Sequence, residues 1–286
     1  MKRISVFLLS IFFISVGSAQ TSTKGSLLWE ISGNGITNPS YLFGTFHLMC
    51  KDQFSVSETL ASKIISTDQF VGELDMDDPT MQTTLMQKII LKDKTIESLM
   101  DTGSFRKFND AFKKITGISA TMLNHYKPFY HLSLITLKTI PCNNFMQPET
   151  ELMQIAKKNH KEVLGLETVN EQMEAIDAQP LDSQIISLQK MVLNFDSTKN
   201  MMQEMIEVYK KNDAELLYDY VHKQGSDGMD EEVLLVNRNK NWIPTIKKLM
   251  QKNSNFIAVG GAHLGGKTGV LALLRAEGYT VKPVKY

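Results

Sequence analysis

The sequence predicts an α/β fold with a mixed β-sheet core, strand-end G-x-x-H turns and a large helical insertion. Short apolar segments with strand character alternate with helical segments near both ends of the chain. A long block with apolar residues at helical spacing fills the middle. Two of the apolar segments run into a glycine that is followed three residues later by a histidine, which marks two comparable strand ends.

In the first half of the chain, residues 27–32 and 41–46 are predicted strands of a β-hairpin, because a turn rich in Gly, Asn and Pro separates them. Residues 70–75 are short, apolar and strand-like, and Pro79 lies where the next helix would begin. Apolar residues at helical spacing predict helices over 56–65, 81–91, 105–138 (broken near Gly117 and Pro128) and 149–159.

In the second half, residues 163–167 and 256–259 form short apolar strands, and 279–284 is the final strand. Residues 181–223 predict two or three helices. A loop is expected over 225–230, and helices follow over 231–250, with Pro244 as a turn or kink, and over 269–277. The strands near the two ends are expected to form one sheet of mixed direction.

The N-terminus has the features of a secretory signal peptide. Lys2 and Arg3 precede an apolar run over 6–16, and small residues ending at Ala19 follow. The run is shorter than the roughly 20 residues that a spanning helix needs. We expect cleavage near Ala19, a signal peptide over 1–19, one domain over 20–286 and a secreted or periplasmic protein. An uncleaved membrane anchor is the alternative.

Composition excludes several classes of protein. Hydrophobic residues make up 42% of the chain and charged residues 22%, which is typical of a globular protein with a sizeable core. The formal net charge is zero and no basic stripe is present, so nucleic acid is not an expected partner. No later apolar run is long enough for stable membrane insertion. Nothing in the sequence indicates the oligomeric state.

The two cysteines, Cys50 and Cys142, are expected to form a disulfide if the protein is exported. The alternative is two separate buried thiols, because a free cysteine packs as a small hydrophobic residue.

His47 and His263 are the two candidate metal ligands at strand ends. Each follows an apolar strand and a glycine, in Gly44-Thr45-Phe46-His47 and Gly260-Gly261-Ala262-His263. The glycine is expected to permit a sharp turn. Ligand crevices of open α/β sheets lie at the carboxyl ends of strands, so the two side chains can meet there. The alternative is that one histidine is merely packed in the core.

Glu73 and Glu167 end two further apolar segments. A buried carboxylate requires a partner or a metal ion, and two histidines with Glu73 would leave one coordination position for water. A second glutamate could then act as general base. The alternative is a salt bridge to neighbouring basic residues. A nearby acidic stretch, Asp75, Asp77 and Asp78, is better interpreted as a solvated turn and helix cap.

Arg238 could hold an active-site glutamate or a substrate carboxylate through its bidentate fork. The alternative for Arg238 is a solvated helix face. Trp242 is interpreted as a core residue. The remaining histidines are assigned no chemistry: two are interpreted as structural (His125, His131) and two as solvated (His160, His222).

Residues 261–268 formally match the phosphate-binding pattern G-x-x-x-x-G-K-[ST]. Only a short helix and one strand follow, whereas a nucleotide-binding domain of that kind needs several further strands, one with a magnesium-binding aspartate. We therefore reject a nucleotide site.

Taken in order, G-T-F-H, G-E-L-D, V-L-G-L-E-T-x-N-E-Q, R-N-x-x-W and A-V-G-G-A-H-L-G-G resemble the TraB/GumN family, which includes the TIKI proteins. The resemblance implies a fold related to erythromycin esterase and ChaN-like proteins, and a manganese- or cobalt-supported protease activity. It implies that His47, His263 and Glu73 are the key residues. We expect these three to bind the metal, Glu73 to take part in catalysis as well, and Glu167 and Arg238 to have supporting catalytic roles.

The leading hypothesis is therefore a secreted metal-dependent hydrolase, with peptides as the expected substrates and a divalent Mn, Co or Zn ion as cofactor. The second hypothesis is a non-catalytic periplasmic or extracellular binder of peptides or small ligands, in which Arg238 orients a ligand carboxylate. A third is a metal-free hydrolase that uses a histidine as base.

Overall fold

The structure is a computed structural model that describes residues 25–224 and 230–286. The predicted signal peptide (1–19) and nearly all of the predicted loop over 225–230 lie outside these described residues. Within the two described stretches, no helix has the length and apolar character needed to cross a membrane.

A six-stranded mixed sheet forms the centre of the fold. The strands of the structure are β1 (Leu28–Ser32), β2 (Ser40–Thr45), β3 (Met49–Cys50), β4 (Gln69–Gly72), β5 (Phe145–Met146), β6 (Glu162–Gly165), β7 (Asn255–Gly260) and β8 (Thr280–Pro283). The strand order in the sheet is β6-β4-β7-β2-β1-β8. The first four strands in this order are parallel to one another, whereas β1 is antiparallel to both β2 and β8. A separate two-stranded sheet pairs β3 with β5. The predicted fold class is confirmed.

Helices surround the sheet and supply the crossovers that parallel strands need. They are α1 (Glu58–Ser66), α2 (Met81–Lys88), α3 (Thr102–Thr116), α4 (Pro128–Thr139), α5 (Pro148–Lys158), α6 (Val169–Asp177), α7 (Leu181–Leu193), α8 (Phe195–Tyr209), α9 (Ala214–Gln224), α10 (Asn237–Met250) and α11 (Val270–Ala276). The helical block predicted over 181–223 is three helices. The sequence analysis missed α6, β3 and β5. Pro244 lies inside α10 rather than at its start.

The main core encloses the sheet. Every residue of β2 and β7 is buried. Burial on both faces explains why neither strand alternates between apolar and charged residues. A second core lies between α3, α4 and α7 of the helical insertion, with Phe108 and Phe112 at its centre. His131 is fully buried there, 5.3 Å from the ring of Phe112, as its structural interpretation expects.

Two details of the strand ends differ from the prediction. Strand β4 stops at Gly72, so Glu73 follows the strand instead of lying within it. Gly44 is the penultimate residue of β2 and makes no turn. Its missing side chain permits close packing instead, because a Cβ there would lie 2.7 Å from Leu264 and 2.9 Å from the Cα of Gly261.

A disulfide joins Cys50, in β3, to Cys142, which precedes β5. It closes a segment with a sequence separation of 92 and reinforces the small β3–β5 sheet. A crosslink over so long a loop stabilises the fold chiefly by restricting the unfolded chain.

We predict that the double variant Cys50→Ser/Cys142→Ser lowers the free energy of unfolding by about 2–4 kcal/mol, because the unfolded chain regains loop entropy. Urea unfolding of the oxidised protein and of the variant measures the difference. Reductant should destabilise the wild type and leave the variant unchanged. Coincident transitions of the oxidised wild type and the variant would contradict the prediction.

Candidate functional site

The candidate site lies at the carboxyl edge of the four parallel strands. His47, Glu73, Glu167 and His263 each follow one of these strands, β2, β4, β6 and β7, within three residues. Because the carboxyl ends of parallel strands share one edge of a sheet, four segments that are distant in sequence converge there. Arg238 reaches the same edge from α10.

His47 forms the exposed rim of the site. Its Nδ1 lies 2.6 Å from Oε1 of Glu149, a residue in the first turn of α5. The hydroxyl of Thr45 donates to the same oxygen at 2.6 Å. The side chain of His47 is 69% exposed, whereas that of Glu149 is largely buried. The carboxylate therefore fixes the ring and leaves its Nε2 edge directed into the site.

Glu149 sets the protonation of His47. Protein atoms beneath the ring displace water and by themselves lower the pKa of His47. The hydrogen bond and negative charge of Glu149 act in the opposite direction and prevail, which raises the pKa of His47 to about 9. Burial raises the pKa of Glu149, but its hydrogen bonds with His47 and Thr45 outweigh burial and the pKa is lowered.

Glu73 lies between the two histidines. Its Oε1 accepts a hydrogen bond from the backbone N–H of Gly260 at 2.7 Å and is 3.9 Å from Nε2 of His263. A Cβ on Gly260 would lie 3.2 Å from this oxygen and 3.1 Å from Nε2 of His47. The absence of a side chain at Gly260 therefore lets the His47 imidazole and the Glu73 carboxylate approach the end of β7 closely.

Arg238 links the acidic groups. Its Nη2 donates to Glu73 Oε2 and to Glu167 Oε1, both at 2.6 Å, and its Nε also faces Glu167. The side chain is only 12% exposed. The alternative of a solvated helix face is thus wrong for Arg238, because two buried carboxylates require its charge.

Trp242 completes this cluster from one turn further along α10. Its indole Nε1 donates to Glu167 Oε2 at 2.9 Å, and the guanidinium of Arg238 lies 4.9 Å from its ring. Trp242 is buried, as the sequence interpretation expects, but it also contacts the site. Glu167 therefore fits both interpretations of the sequence, because it lies in the cluster at the strand ends and also forms a salt bridge with Arg238.

His263 is the buried histidine of the pair. Its Nδ1 lies 2.6 Å from Oδ1 of Asn239, and its Nε2 accepts from Nη1 of Arg238 at 3.2 Å. The ring packs 4.5 Å from that of Trp242. Burial, together with the charge of Arg238, lowers the pKa of His263 to about 3, so the ring is neutral at neutral pH.

Glu73 is held in its charged form. Burial would raise the pKa of Glu73, but positive charge on His263, His47 and Arg238, with the N–H of Gly260, outweighs burial and lowers the pKa to about 2. Because His263 is neutral at neutral pH, the partners that stabilise ionised Glu73 there are the imidazolium of His47, Arg238 and the N–H of Gly260. Stability from this shift is present above the ordinary glutamate value and is lost as pH falls through about 2.

The structure brings together all five residues selected from the sequence: His47, Glu73, Glu167, Arg238 and His263. Sequence reasoning missed Glu149 and Asn239, which hold the two imidazoles. Among the described residues, no group of three or more His, Cys, Asp or Glu side chains is arranged to hold a metal ion. The guanidinium of Arg238 contacts both Glu73 and His263.

We predict that Glu149→Gln lowers the pKa of His47 toward its ordinary value of 6.5, because the opposing charge is removed. Stability from the raised pKa is complete below 6.5 and is lost as pH rises through about 9, and the variant should lose that dependence. NMR titration of His47 measures the shift. Glu151→Gln, an exposed position on the same helix, is the control, and an equal pKa in wild type and Glu149→Gln would refute the assignment.

A comparison with known protein families matches residues 27–283 to the TraB/PrgY/gumN family. No curated protein and no solved structure gives a significant match. The family match covers nearly the whole chain and includes all the strand ends that build the site. The chain therefore belongs to the TraB/PrgY/gumN family.

Proposed function

We propose that this chain is an exported hydrolase that cleaves amide bonds of peptides with a divalent cation at the carboxyl edge of the sheet. The observation that carries the proposal is the convergence of His47 Nε2 and Glu73 Oε1 beside Gly260, with Nε2 of His263 3.9 Å from the same carboxylate oxygen. Glu149 and the N–H of Gly260 hold the imidazole and the carboxylate in place.

The donor set suits a cation such as Mn, Co or Zn. Imidazole and carboxylate groups are typical ligands of these metals, and ligating histidines usually bond to a further partner through their second nitrogen. Glu149 and Asn239 supply that partner for His47 and His263. Ligation by His263 would require Arg238 to give up its hydrogen bond to Nε2. When bound, such a cation would polarise the scissile carbonyl and lower the pKa of a water molecule.

The chain's own residues supply charge and orientation. Arg238 helps to keep Glu73 ionised, so this carboxylate can hold a cation, and its lowered pKa makes it a weak base. Glu167 holds Arg238 in place. Three carboxylates, including Glu149, face one guanidinium and one imidazolium, and this excess of negative charge favours a cation.

A metal-free hydrolase is a second candidate, and the His47–Glu149 pair favours it. In this arrangement neutral His47 removes a proton from water, while Glu149 orients the ring and stabilises the imidazolium that forms. The binder hypothesis loses support, because both Glu73 and Glu167 already occupy the fork of Arg238 that would hold a ligand carboxylate.

Export to the periplasm or the extracellular medium is part of the proposal. It is supported by the N-terminal sequence and by the disulfide, because disulfides persist mainly in oxidising compartments. Peptides as substrates rest on the resemblance to the TIKI proteins.

We predict that protein purified without chelator contains a stoichiometric divalent metal and cleaves a quenched-fluorescent peptide library. His47→Ala and His263→Ala should each lose the metal and reduce cleavage by at least about 100-fold, since each removes a ligand. Elemental analysis and peptide fluorescence are the measurements.

His125→Ala, an exposed histidine in the helical insertion, is the matched control and should retain both properties. Cleavage by metal-free protein that resists chelator would select the metal-free candidate. A folded wild type that binds no metal on titration and cleaves no peptide would refute both.

The pH dependence of kcat/KM provides another prediction. In the metal-free candidate His47 must lose its proton to act as base, so kcat/KM should rise with pH toward about 9. In Glu149→Gln the rise should move to lower pH, together with a reduced maximum. A profile that falls over this range would mean that the imidazolium is the active form.

A further inference from the structure

A directed chain of hydrogen bonds passes through His263. The amide Nδ2 of Asn239 donates to the backbone carbonyl of Thr268 at 3.0 Å. The Oδ1 of Asn239 faces Nδ1 of His263, and Nε2 of His263 faces Nη1 of Arg238. Asn239 and His263 are both buried, so water does not compete for these bonds.

The groups at the two ends of this series of hydrogen bonds determine which atom donates in each bond. Arginine has N–H donors and no acceptor, so Nε2 of His263 must accept from Arg238. A backbone carbonyl can only accept, so the Asn239 amide must present its NH₂ group to Thr268. Both requirements agree at the middle bond, where Nδ1–H of His263 donates to Oδ1 of Asn239.

We infer that Asn239 is a positioning residue that locks His263 as the tautomer with its proton on Nδ1. The lone pair on Nε2 is thereby always presented to the site, for Arg238 or for a cation. In this neutral form His263 cannot donate a proton from Nε2. The two G-x-x-H histidines thus differ: His263 is buried and presents a fixed electron pair, whereas His47 is exposed and bonded through Nδ1 to Glu149.

Packing against Trp242 keeps the His263 ring in this orientation. The Trp242 ring lies against the imidazole with centroids 4.5 Å apart. A flip of the ring would turn carbon atoms toward Asn239 and Arg238 and leave buried donors and acceptors without partners, which is costly. Because Arg238 and Asn239 are consecutive residues of α10, this one helix provides the hydrogen-bond partners of both ring nitrogens of His263.

The role of this tautomer in catalysis rests on the proposed function, but the tautomer itself can be measured without substrate. In protein with ¹⁵N-labelled histidine, His263 should carry its proton on Nδ1, with Nε2 unprotonated. The signals are assigned by their loss in His263→Ala. A proton on Nε2 in the wild type would overturn the inference, even if the protein proves to be a hydrolase.

Asn239→Ala should weaken the tautomer preference, because Arg238 alone then specifies it, and the ¹⁵N signals of His263 should shift toward the average of the two forms. Peptide cleavage should fall about 10–100-fold. Asn241→Ala, an exposed asparagine on the same helix, and Thr268→Ala, which keeps the backbone carbonyl, should match the wild type in both readouts. Unchanged His263 signals in Asn239→Ala would overturn the inference. Changed signals without any cleavage by the wild type would instead refute only the proposed function.

Discussion

The architecture of the site depends on one buried guanidinium held between two carboxylates. Arg238 bonds to Glu73 and Glu167, which follow adjacent parallel strands, and thereby joins α10 to the carboxyl edge of the sheet. Carboxylates this buried are costly unless paired, and breaking such a pair costs about 3–5 kcal/mol. The same contact keeps Glu73 ionised and engages His263, so that a structural ion pair also determines the electrostatics of the site.

The positions of the site residues could be predicted because strand ends are local features. An apolar segment followed by a glycine and a polar side chain identifies such an end, and parallel topology places those ends together. Glu149 could not be found this way, since it meets His47 across 102 positions and only through the placement of α5 beside β2. Its location after Pro148, in the first turn of a helix, was the available signal. Likewise the capping box of Thr168 and Glu171 was a sequence signal for α6, a helix that was not predicted.

The two G-x-x-H segments show the limit of motif reasoning. They look alike in sequence, yet His47 is exposed beside a carboxylate and His263 is buried beside an amide and an arginine. A neighbouring negative charge favours the imidazolium, whereas burial beside a guanidinium favours the neutral ring. The motif places each ring just beyond the end of its strand, whereas the tertiary partners determine the protonation state of each ring.

The Cys50–Cys142 bond has a consequence beyond the strength of the fold. Cys50 lies three residues after His47, and Cys142 lies seven residues before Glu149. The bond therefore links the chain segments next to His47 and Glu149. Without the disulfide, only noncovalent contacts would join these segments, among them the bonds of Glu149 to His47 and Thr45. Under the proposed export, the covalent link beside this pair would therefore form only in an oxidising compartment.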